Sequence, residues 1–149
     1  MELPEKLYEK IEALSEEGNL FFDDDCFEEA VDKWKQALDY VPSPKSDWEA
    51  TFWLCTSIGD AHYQLSRFGL AREFFFDALN APGGESCPFV YYRLGQCEAR
   101  LGNMEAATEN LLRAYMLDGV DIFEGDPEGA HYLKMLESQR LLSDTGASE

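Results

Sequence analysis

The sequence predicts an all-α protein assembled from three similar helix pairs, and a repeated pattern of small residues is the main reason. Each pair is anchored by a glycine, at Gly18, Gly59 and Gly95. An alanine, a bulky apolar residue and a second alanine then follow each glycine at fixed spacing. They are Ala30, Trp34 and Ala37, then Ala71, Phe75 and Ala78, and then Ala107, Leu111 and Ala114. Because close helix packing needs small side chains, we expect each glycine to face an alanine across its pair, with the large residues between pairs.

Two further observations agree with this fold class. No run of alternating apolar and polar residues is long enough to indicate a strand. The 6 prolines lie where helices can begin or end, so long helical stretches remain between them. With 149 residues, 45% of them hydrophobic, the chain has the size and apolar content of one compact domain, which we place over 1–142.

The first helix is predicted near 5–22, where apolar residues such as Leu7, Ile11 and Leu14 recur at helical spacing. The acidic run 23–25 follows, and its carboxylates are expected to cap the next helix. A calcium loop is disfavoured, because this run lacks the spaced oxygen ligands and the glycine that such a loop needs.

Capping signals predict the later helices. The segment 46–49 indicates a capping box that opens a long helix in the second pair, and Asn103 is placed to cap the second helix of the third pair. Asp126 is expected to cap a final helix over about 127–142, which would cover the open end of the array. Residues 143–149 are predicted to form a frayed tail.

The whole pattern resembles that of the tetratricopeptide repeat family, with three units at about 11–44, 52–85 and 88–121. The second unit departs most, because Cys55 and His62 stand where the family favours tryptophan and tyrosine. The matching positions are Leu14, Gly18, Phe21, Phe27, Ala30, Trp34, Ala37 and Pro42 in the first unit, and Tyr91, Leu94, Gly95, Met104, Ala107 and Ala114 in the third. The resemblance implies a right-handed superhelix of stacked helix pairs with a C-terminal capping helix, three units being the usual minimum for stability.

The resemblance also implies that the first helix of each pair lines a concave groove in which a partner binds. The outward positions of these helices are aromatic and mixed in polarity, and aromatic residues and arginine are common at binding hot spots. By register they are Ser15, Asn19, Phe22 and Asp23, then Trp53, Thr56, Asp60 and Tyr63, and then Phe89, Tyr92, Arg93 and Gln96. For Phe22, Trp53 and Phe89 the alternative is packing between repeats or beneath the flanking helices.

One function of the family can be compared residue by residue. Its clamp for the C-terminal carboxylate of chaperone tails uses lysine and asparagine from the first repeat, and lysine and arginine from the third. Asn19 and Arg93 match two of those places. Ser15 and Phe89, however, stand at the lysine positions, and Ser57 stands at that of a second asparagine. Without the lysines the groove loses its attraction for a dianionic tail, so a chaperone co-adaptor of this kind is disfavoured.

The charge of the chain narrows the class of partner. Its 30 acidic residues against 12 basic ones give a net charge of −18. Nucleic acid is disfavoured, because proteins bind phosphates through Lys and Arg. A basic protein would instead be attracted and would associate faster. The partner is therefore expected to be another protein or a peptide, with a basic one favoured by the charge; the alternative is an acidic surface that only maintains solubility.

The sequence shows no constellation for catalysis, a metal or a cofactor. The 4 cysteines lack CxxC spacing and are expected to be buried reduced thiols. Zinc would need four converging ligands, and only His62 and His131 are available as histidines. Cys55 and His62 are seven residues apart, which on a helix is about 10 Å and outside hydrogen-bond reach. We therefore expect a protein that is not an enzyme and binds no cofactor.

The start of the chain bears on its location. No apolar run follows Met1, and glutamates appear early instead. Neither a secretory signal nor a membrane span is expected. This favours a cytoplasmic protein that has no membrane partner.

Two functions from different classes remain. The first is an adaptor whose groove takes an extended or helical segment of a partner, with aromatic anchors such as Trp53 and Tyr92. The second is an acidic inhibitor, such as an immunity protein that sequesters a basic toxin or nuclease, with the acidic segment 121–126 extending its surface. Salt separates the two, because an inhibitor that relies on charge steering associates much more slowly as ionic strength rises.

Overall fold

A computed structural model describes residues 2–139 and residue 141 of the chain. This part contains eight α-helices, two short 3-10 turns and no strand, so the all-α fold class is confirmed. The helices are α1 (Glu5–Asp23), α2 (Phe27–Asp39), α3 (Glu49–Gln64), α4 (Phe68–Leu79), α5 (Pro88–Arg100), α6 (Met104–Asp118), α7 (Asp121–Glu124) and α8 (Gly129–Ser138). The predicted tail over 143–149 lies outside the described residues.

The helices form two compact units, one up to Glu85 and one from Ser86 onward. The first unit holds two helix pairs, α1 with α2 and α3 with α4, and α2 also packs against α3. The second unit holds the pair of α5 and α6, followed by α7 and α8. The three expected helix pairs are therefore present, whereas the single domain over 1–142 stays a prediction. No helix in the described part of the chain is long and apolar enough to cross a membrane.

The repeated small residues lie where the two helices of each pair meet, but the facing residue differs from the expectation. All six alanines of the pattern are buried. Each glycine has a bulky side chain of the partner helix as its nearest neighbour; the contacts are Gly18 with Trp34, Gly59 with Phe75, and Gly95 with Leu111. The bulky residue therefore fills the space that the glycine leaves inside the pair. The expectation that it lies between pairs is wrong.

The turn inside each pair is as regular as the helices. Asp25, Ser66 and Gly102 each lie seven residues after the glycine of their unit and adopt a positive φ of 61°, 61° and 87°. In each unit the N–H of the following residue donates to the carbonyl five positions earlier at 2.8 Å. This left-handed ending satisfies the last carbonyls of the first helix with backbone donors alone.

Backbone turns also replace the expected side-chain caps. In the described part of the chain, no side chain caps the start of α2, α3, α6 or α8. The predicted capping box is instead a 3-10 turn over Lys45–Asp47, and α3 begins at Glu49 after an extended Trp48. Asn103 donates its amide N–H to Glu98 Oε1 at 2.9 Å rather than capping α6.

The C-terminal segment contains the expected final helix and one extra turn. The final helix expected over about 127–142 is α8, over Gly129–Ser138, and an additional single turn, α7, precedes it. Phe123 of α7 and Tyr132 and Leu136 of α8 are buried. A Cβ at Gly129 would clash with the backbone of Phe123, so the close approach of α7 to α8 depends on this glycine.

Candidate interaction surfaces

Four predicted groove residues line one recess in the first unit. Asn19, Phe22 and Asp23 are on α1, and Asp60 is on α3. The cavity has a volume of about 140 Å³. Its full lining is Asn19, Phe22, Asp23, Trp34, Ser57 and Asp60. We call it the acidic recess, because it has two carboxylates and no basic side chain in its lining.

The wall of the acidic recess is held by aromatic packing. Phe22 contacts Phe27 edge-on with ring centroids 5.1 Å apart, and it lies 5.8 Å from the Trp34 ring. Trp34 in turn donates its indole N–H to the Ser15 carbonyl at 3.1 Å. Phe22 therefore both lines the recess and packs against the helix pair. Asn19 and Asp23 are exposed, so their polar atoms are accessible from solvent.

Trp53 lies in a separate and larger cavity of the first unit. This cavity has a volume of about 540 Å³ and is formed by the N-terminal parts of α1 and α3 and the residues just before them. It is lined by Glu2, Leu3, Glu5, Tyr8, Trp48, Glu49, Ala50 and Trp53. We call it the aromatic pocket. The sequence register placed Trp53 with Asp60 in one groove, and it gave no signal that Tyr8 and Trp48 accompany Trp53.

In the second unit, three predicted groove residues line a recess of about 260 Å³. Phe89, Tyr92 and Arg93 of α5 form one side of it. The complete lining is Phe89, Tyr92, Arg93, Asp118, Asp121, Ile122, Gly125 and Asp126. We call it the α5 recess. Its acidic side comes from the segment 118–126, most of which the sequence had marked as an extension of the acidic surface.

Tyr92 and Gln96 are buried, with exposures of 1% and 0%. The Tyr92 hydroxyl donates to Asp126 Oδ2 at 2.7 Å, and Gln96 Nε2 donates to the same oxygen at 3.2 Å. Tyr92 also packs edge-on against Phe123. Burial and the bond to Asp126 raise the pKa of the Tyr92 hydroxyl above its usual range. These two residues therefore connect α5 to the C-terminal segment and are positioned as supports of the recess.

Arg93 is engaged by groups of its own unit. Its guanidinium donates to Gln96 Oε1 at 2.8 Å and lies 4.0 Å from Asp126 Oδ1. It also stacks over the Phe89 ring, 5.0 Å from the centroid. The one arginine that matches the carboxylate clamp is thus partly neutralised by Asp126 before any ligand arrives.

The remaining predicted groove residues lie in neither recess. Ser15 is half-buried and accepts the Trp34 indole bond at its carbonyl. Thr56 bonds its hydroxyl to the Phe52 carbonyl at 2.7 Å. Tyr63 packs edge-on against Phe68. The binding role of all twelve residues stays a prediction.

The buried titratable side chains Cys55 and His62 are placed as packing residues of the core rather than as reactive groups. Burial and the nearby Asp77 carboxylate raise the pKa of Cys55 to about 12, so this thiol stays protonated at neutral pH. His62 is 3% exposed and stacks on Phe74 with centroids 5.6 Å apart. Across the described residues, no group of three or more His, Cys, Asp or Glu is placed to hold a metal ion.

Comparison with solved structures decides the fold. The first TPR of Spaghetti (RPAP3), solved with the HSP90 peptide SRMEEVD, is 22% identical and has a TM-score of 0.69, covering 88% of this chain and 93% of that domain. A C-terminal TPR-containing domain of a Plasmodium falciparum FK506-binding protein is also 22% identical, with a TM-score of 0.71 and coverage of 90% and 95%. This chain has a tetratricopeptide repeat (TPR) fold. The first TPR domain of human RPAP3 agrees, with 21% identity, a TM-score of 0.65 and coverage of 94% and 98%.

Sequence comparisons found no relative of this chain. No protein-family model matches the chain, and no curated protein sequence matches it. Within the fold, α1 and α3 are the first helices of the first two TPR units, and α5 is the first helix of the third. The acidic recess and the α5 recess therefore lie on the helices that the family resemblance assigns to the binding groove.

Proposed function

We propose that this chain is a non-enzymatic protein-interaction module that binds a segment of a partner protein at the acidic recess. The observation that carries the proposal is the placement of Asn19 and Asp23 on α1 opposite Asp60 on α3, around one cavity. The same fold in two RPAP3 domains was solved with a bound peptide, which supports peptide binding as a use of this architecture. The adaptor role is inferred from this site together with the fold.

The partner segment is proposed to be basic. Asp23 and Asp60 both line the recess, and Gln64 Nε2 lies 3.4 Å from Asp60 Oδ1 as a neutral neighbour. A lysine or arginine 4 Å from one carboxylate gains about 1 kcal/mol in water and about 4 kcal/mol at an effective dielectric of 20. The net charge of −18 acts in the same direction over longer distances. An acidic peptide would meet repulsion from the same groups.

An acidic inhibitor is the second candidate, and the excess of 30 acidic over 12 basic residues favours it. Such a protein would cover the cationic site of a basic toxin or nuclease. It differs from an adaptor in its dependence on charge steering, which is screened beyond about 8 Å at physiological ionic strength. The cytoplasmic location stays a prediction from the sequence.

The test is affinity capture from a lysate of the source cells with matched baits. The wild type is compared with an Asp23→Asn/Asp60→Asn variant and with a Glu9→Gln/Glu73→Gln control. The control removes two exposed charges that lie outside the recess. We expect at least one protein that the wild type and the control retain and the recess variant loses. Equal capture by all three baits would overturn the assignment of the recess.

The salt dependence of the captured complex separates the two candidates. Association rates are measured for the purified partner at about 50 mM and 300 mM salt. An inhibitor that depends on steering should associate at least about tenfold more slowly at the higher concentration. A much smaller change would favour the adaptor, in which close contacts between the basic segment and the recess, which salt screens less than long-range attraction, contribute most of the binding.

A further inference from the structure

The aromatic pocket combines three aromatic rings with three carboxylates. Tyr8, Trp48 and Trp53 supply the rings. The carboxylates are those of Glu2, Glu5 and Glu49, and no lysine, arginine or histidine is in the lining. The volume of about 540 Å³ is large enough for a long side chain and part of the backbone that carries it.

We propose that this pocket binds an arginine side chain of a partner protein. This inference rests on the proposed function, because the partner segment carries the arginine. The aromatic pocket is then a second binding site in the first unit, and arginine is the residue type that it recognises. The acidic recess selects for positive charge in general. The aromatic pocket selects for a planar cation that can stack.

The electrostatics of the pocket favour a cation in spite of its position at two helix starts. The N-termini of α1 and α3 each bring about half a positive charge. Glu5 and Glu49 stand in the first turns of these helices and offset that charge, and Glu2 adds a third negative group. The sum stays negative by about two charges. An anion is therefore disfavoured, although helix starts alone would favour one.

The aromatic lining favours arginine over lysine. A guanidinium is flat, weakly hydrated and stacks on indole and phenol rings. It also presents five N–H donors in a fixed fork that suits carboxylates on its edge. A lysine ammonium is compact and strongly hydrated, so an apolar wall costs it more hydration than it returns in contact. Trp48 and Trp53 thus suit the flat face of a guanidinium, and the neighbouring carboxylates suit the N–H donors on its edge.

Two tryptophans report directly on the pocket and a third provides an internal control. Trp48 Nε1 is buried and has no hydrogen-bond partner among the described residues, and Trp53 lines the same cavity. Trp34, outside this pocket, donates its indole N–H to the Ser15 carbonyl. Because Trp34 lines the acidic recess, its resonance reports a cation bound there, and binding in the aromatic pocket is identified by movement of the Trp48 and Trp53 resonances without that of Trp34.

The experiment is an NMR titration of the ¹⁵N-labelled full chain with acetyl-Gly-Arg-Gly-amide, with lysine and citrulline peptides as matched probes. We expect saturable shifts of the Trp48 and Trp53 indole signals with the arginine peptide, with a Kd on the order of 1 mM for a single side chain. Binding to the lysine peptide should be at least about threefold weaker, and the citrulline peptide should not bind. Equal shifts with lysine or citrulline, or no shift with arginine, would overturn the proposal.

Variants locate the binding in the pocket. Glu49→Gln should weaken arginine binding roughly fivefold to tenfold, and Glu9→Gln, an exposed site on α1 outside the lining, should not. Tyr8→Ser is a second pocket variant that folding should tolerate, because Tyr8 is 44% exposed, and it too should weaken binding. Binding that is unchanged in both pocket variants would contradict the site.

The two proposals fail separately. The acidic recess is tested by Asp23 and Asp60, neither of which lines the aromatic pocket. Loss of arginine-peptide binding in Glu49→Gln with normal partner capture would overturn the pocket as a contact for the partner and leave the recess assignment standing. Capture that depends on the recess, together with an arginine peptide that never binds, would overturn the pocket alone.

Discussion

Gly59 and Phe75 meet across the second helix pair so closely that a Cβ at Gly59 would lie 2.9 Å from Cε1 of the Phe75 ring. Phe75 has no exposed surface, so its ring cannot move outward to make room. The equivalent glycines of the other two pairs face Trp34 and Leu111 in the same way. Glycine followed by a large residue sixteen positions later is therefore the packing rule of this repeat.

The rule predicts that Gly59→Ala destabilises the protein although alanine is the better helix former. Overpacking costs about 1–3 kcal/mol, which exceeds the gain of up to about 1 kcal/mol in helix propensity. Urea denaturation of the purified variant measures the difference. Gly69→Ala in α4 is the matched control, because nothing lies within 4 Å of a Cβ there, and it should be neutral or slightly stabilising. Wild-type stability of Gly59→Ala would show that Phe75 can move.

The sequence was sufficient for the helix pairs because their signal is local and periodic. The spacing of Gly18, Ala30 and Trp34 returns at the equivalent positions of the other two units. Which helices form a pair therefore follows from this spacing alone. The side chain that each glycine faces did not follow, since it depends on how far the two helices rotate about their axes. The end of α1 was predicted to within one residue, but the turn that follows it was missed, because an acidic run does not distinguish a side-chain cap from a backbone turn with Asp25 in a left-handed conformation.

The candidate sites were predicted less completely than the fold, because their residues meet through tertiary contacts. Asp126 was expected to cap a helix, and instead accepts a hydrogen bond from Tyr92, 34 positions away in sequence. No local pattern contains that information. Trp53 was placed in one groove with Asp60, whereas each lines a different cavity of the first unit. Helical register gives the side of a helix that a residue occupies, but not which neighbours stand beside it.

Tyr92→Phe should loosen the segment that follows α6 while leaving the three helix pairs folded. The change removes the hydroxyl that donates to Asp126 Oδ2 and retains the ring contact with Phe123. This hydrogen bond is partly buried, and a hydrogen bond to a charged group contributes about 1.5–3 kcal/mol. Hydrogen exchange measured by mass spectrometry should therefore show that the variant exchanges faster than the wild type in α7 and α8, with a smaller change in α5.

The control for this prediction is Tyr91→Phe on the same helix. The Tyr91 side chain is nearly as buried, and its hydroxyl makes no hydrogen bond to the described residues. Its removal should change exchange little. Equal effects of the two variants would mean that the bond between Tyr92 and Asp126 does not hold the segment.

His62 should make the protein less stable as the pH falls below 6.5. Burial, followed by the charges of Lys35 and Arg67, lowers the pKa of His62 below its usual 6.5, and Glu28 opposes this weakly. Between the two pKa values the unfolded chain binds a proton that the folded chain does not, so unfolding is favoured as the pH falls. Urea denaturation at pH 7.5, 6.5 and 5.5 measures the loss.

Carboxylates also titrate toward the acid end of that range, so the effect of His62 is isolated by comparison with His62→Phe. The variant keeps a ring beside Phe74, which stacks on His62 in the wild type, and it should lose part of the pH dependence. His131→Asn, at an exposed position, is the matched control for removal of a histidine. If the free energy of unfolding of His62→Phe changed with pH as steeply as that of the wild type, the prediction would be contradicted.

Cys55 should resist alkylation in the folded protein at pH 8. Its pKa is raised to about 12, chiefly by burial, and the reactive species is the thiolate. Cys26 and Cys87 are only half-buried and should react with iodoacetamide first, as followed by peptide mass spectrometry. All thiols should react together in 6 M guanidinium. Modification of Cys55 at the rate of Cys26 would place its thiol in solvent.

The HSP90 peptide SRMEEVD, seen with two RPAP3 domains of the same fold, should not bind this chain. Asp23 and Asp60 repel its acidic end at the recess, and Arg93 is already paired with Asp126 at 4.0 Å. Serine and phenylalanine at positions 15 and 89 provide no positive charge in place of the clamp lysines. A fluorescein-labelled peptide titrated to millimolar protein should show no saturable change in anisotropy at about 50 mM salt, where charge attraction would be strongest. An RPAP3 domain is the positive control, and micromolar binding by this chain would contradict the basic-partner proposal.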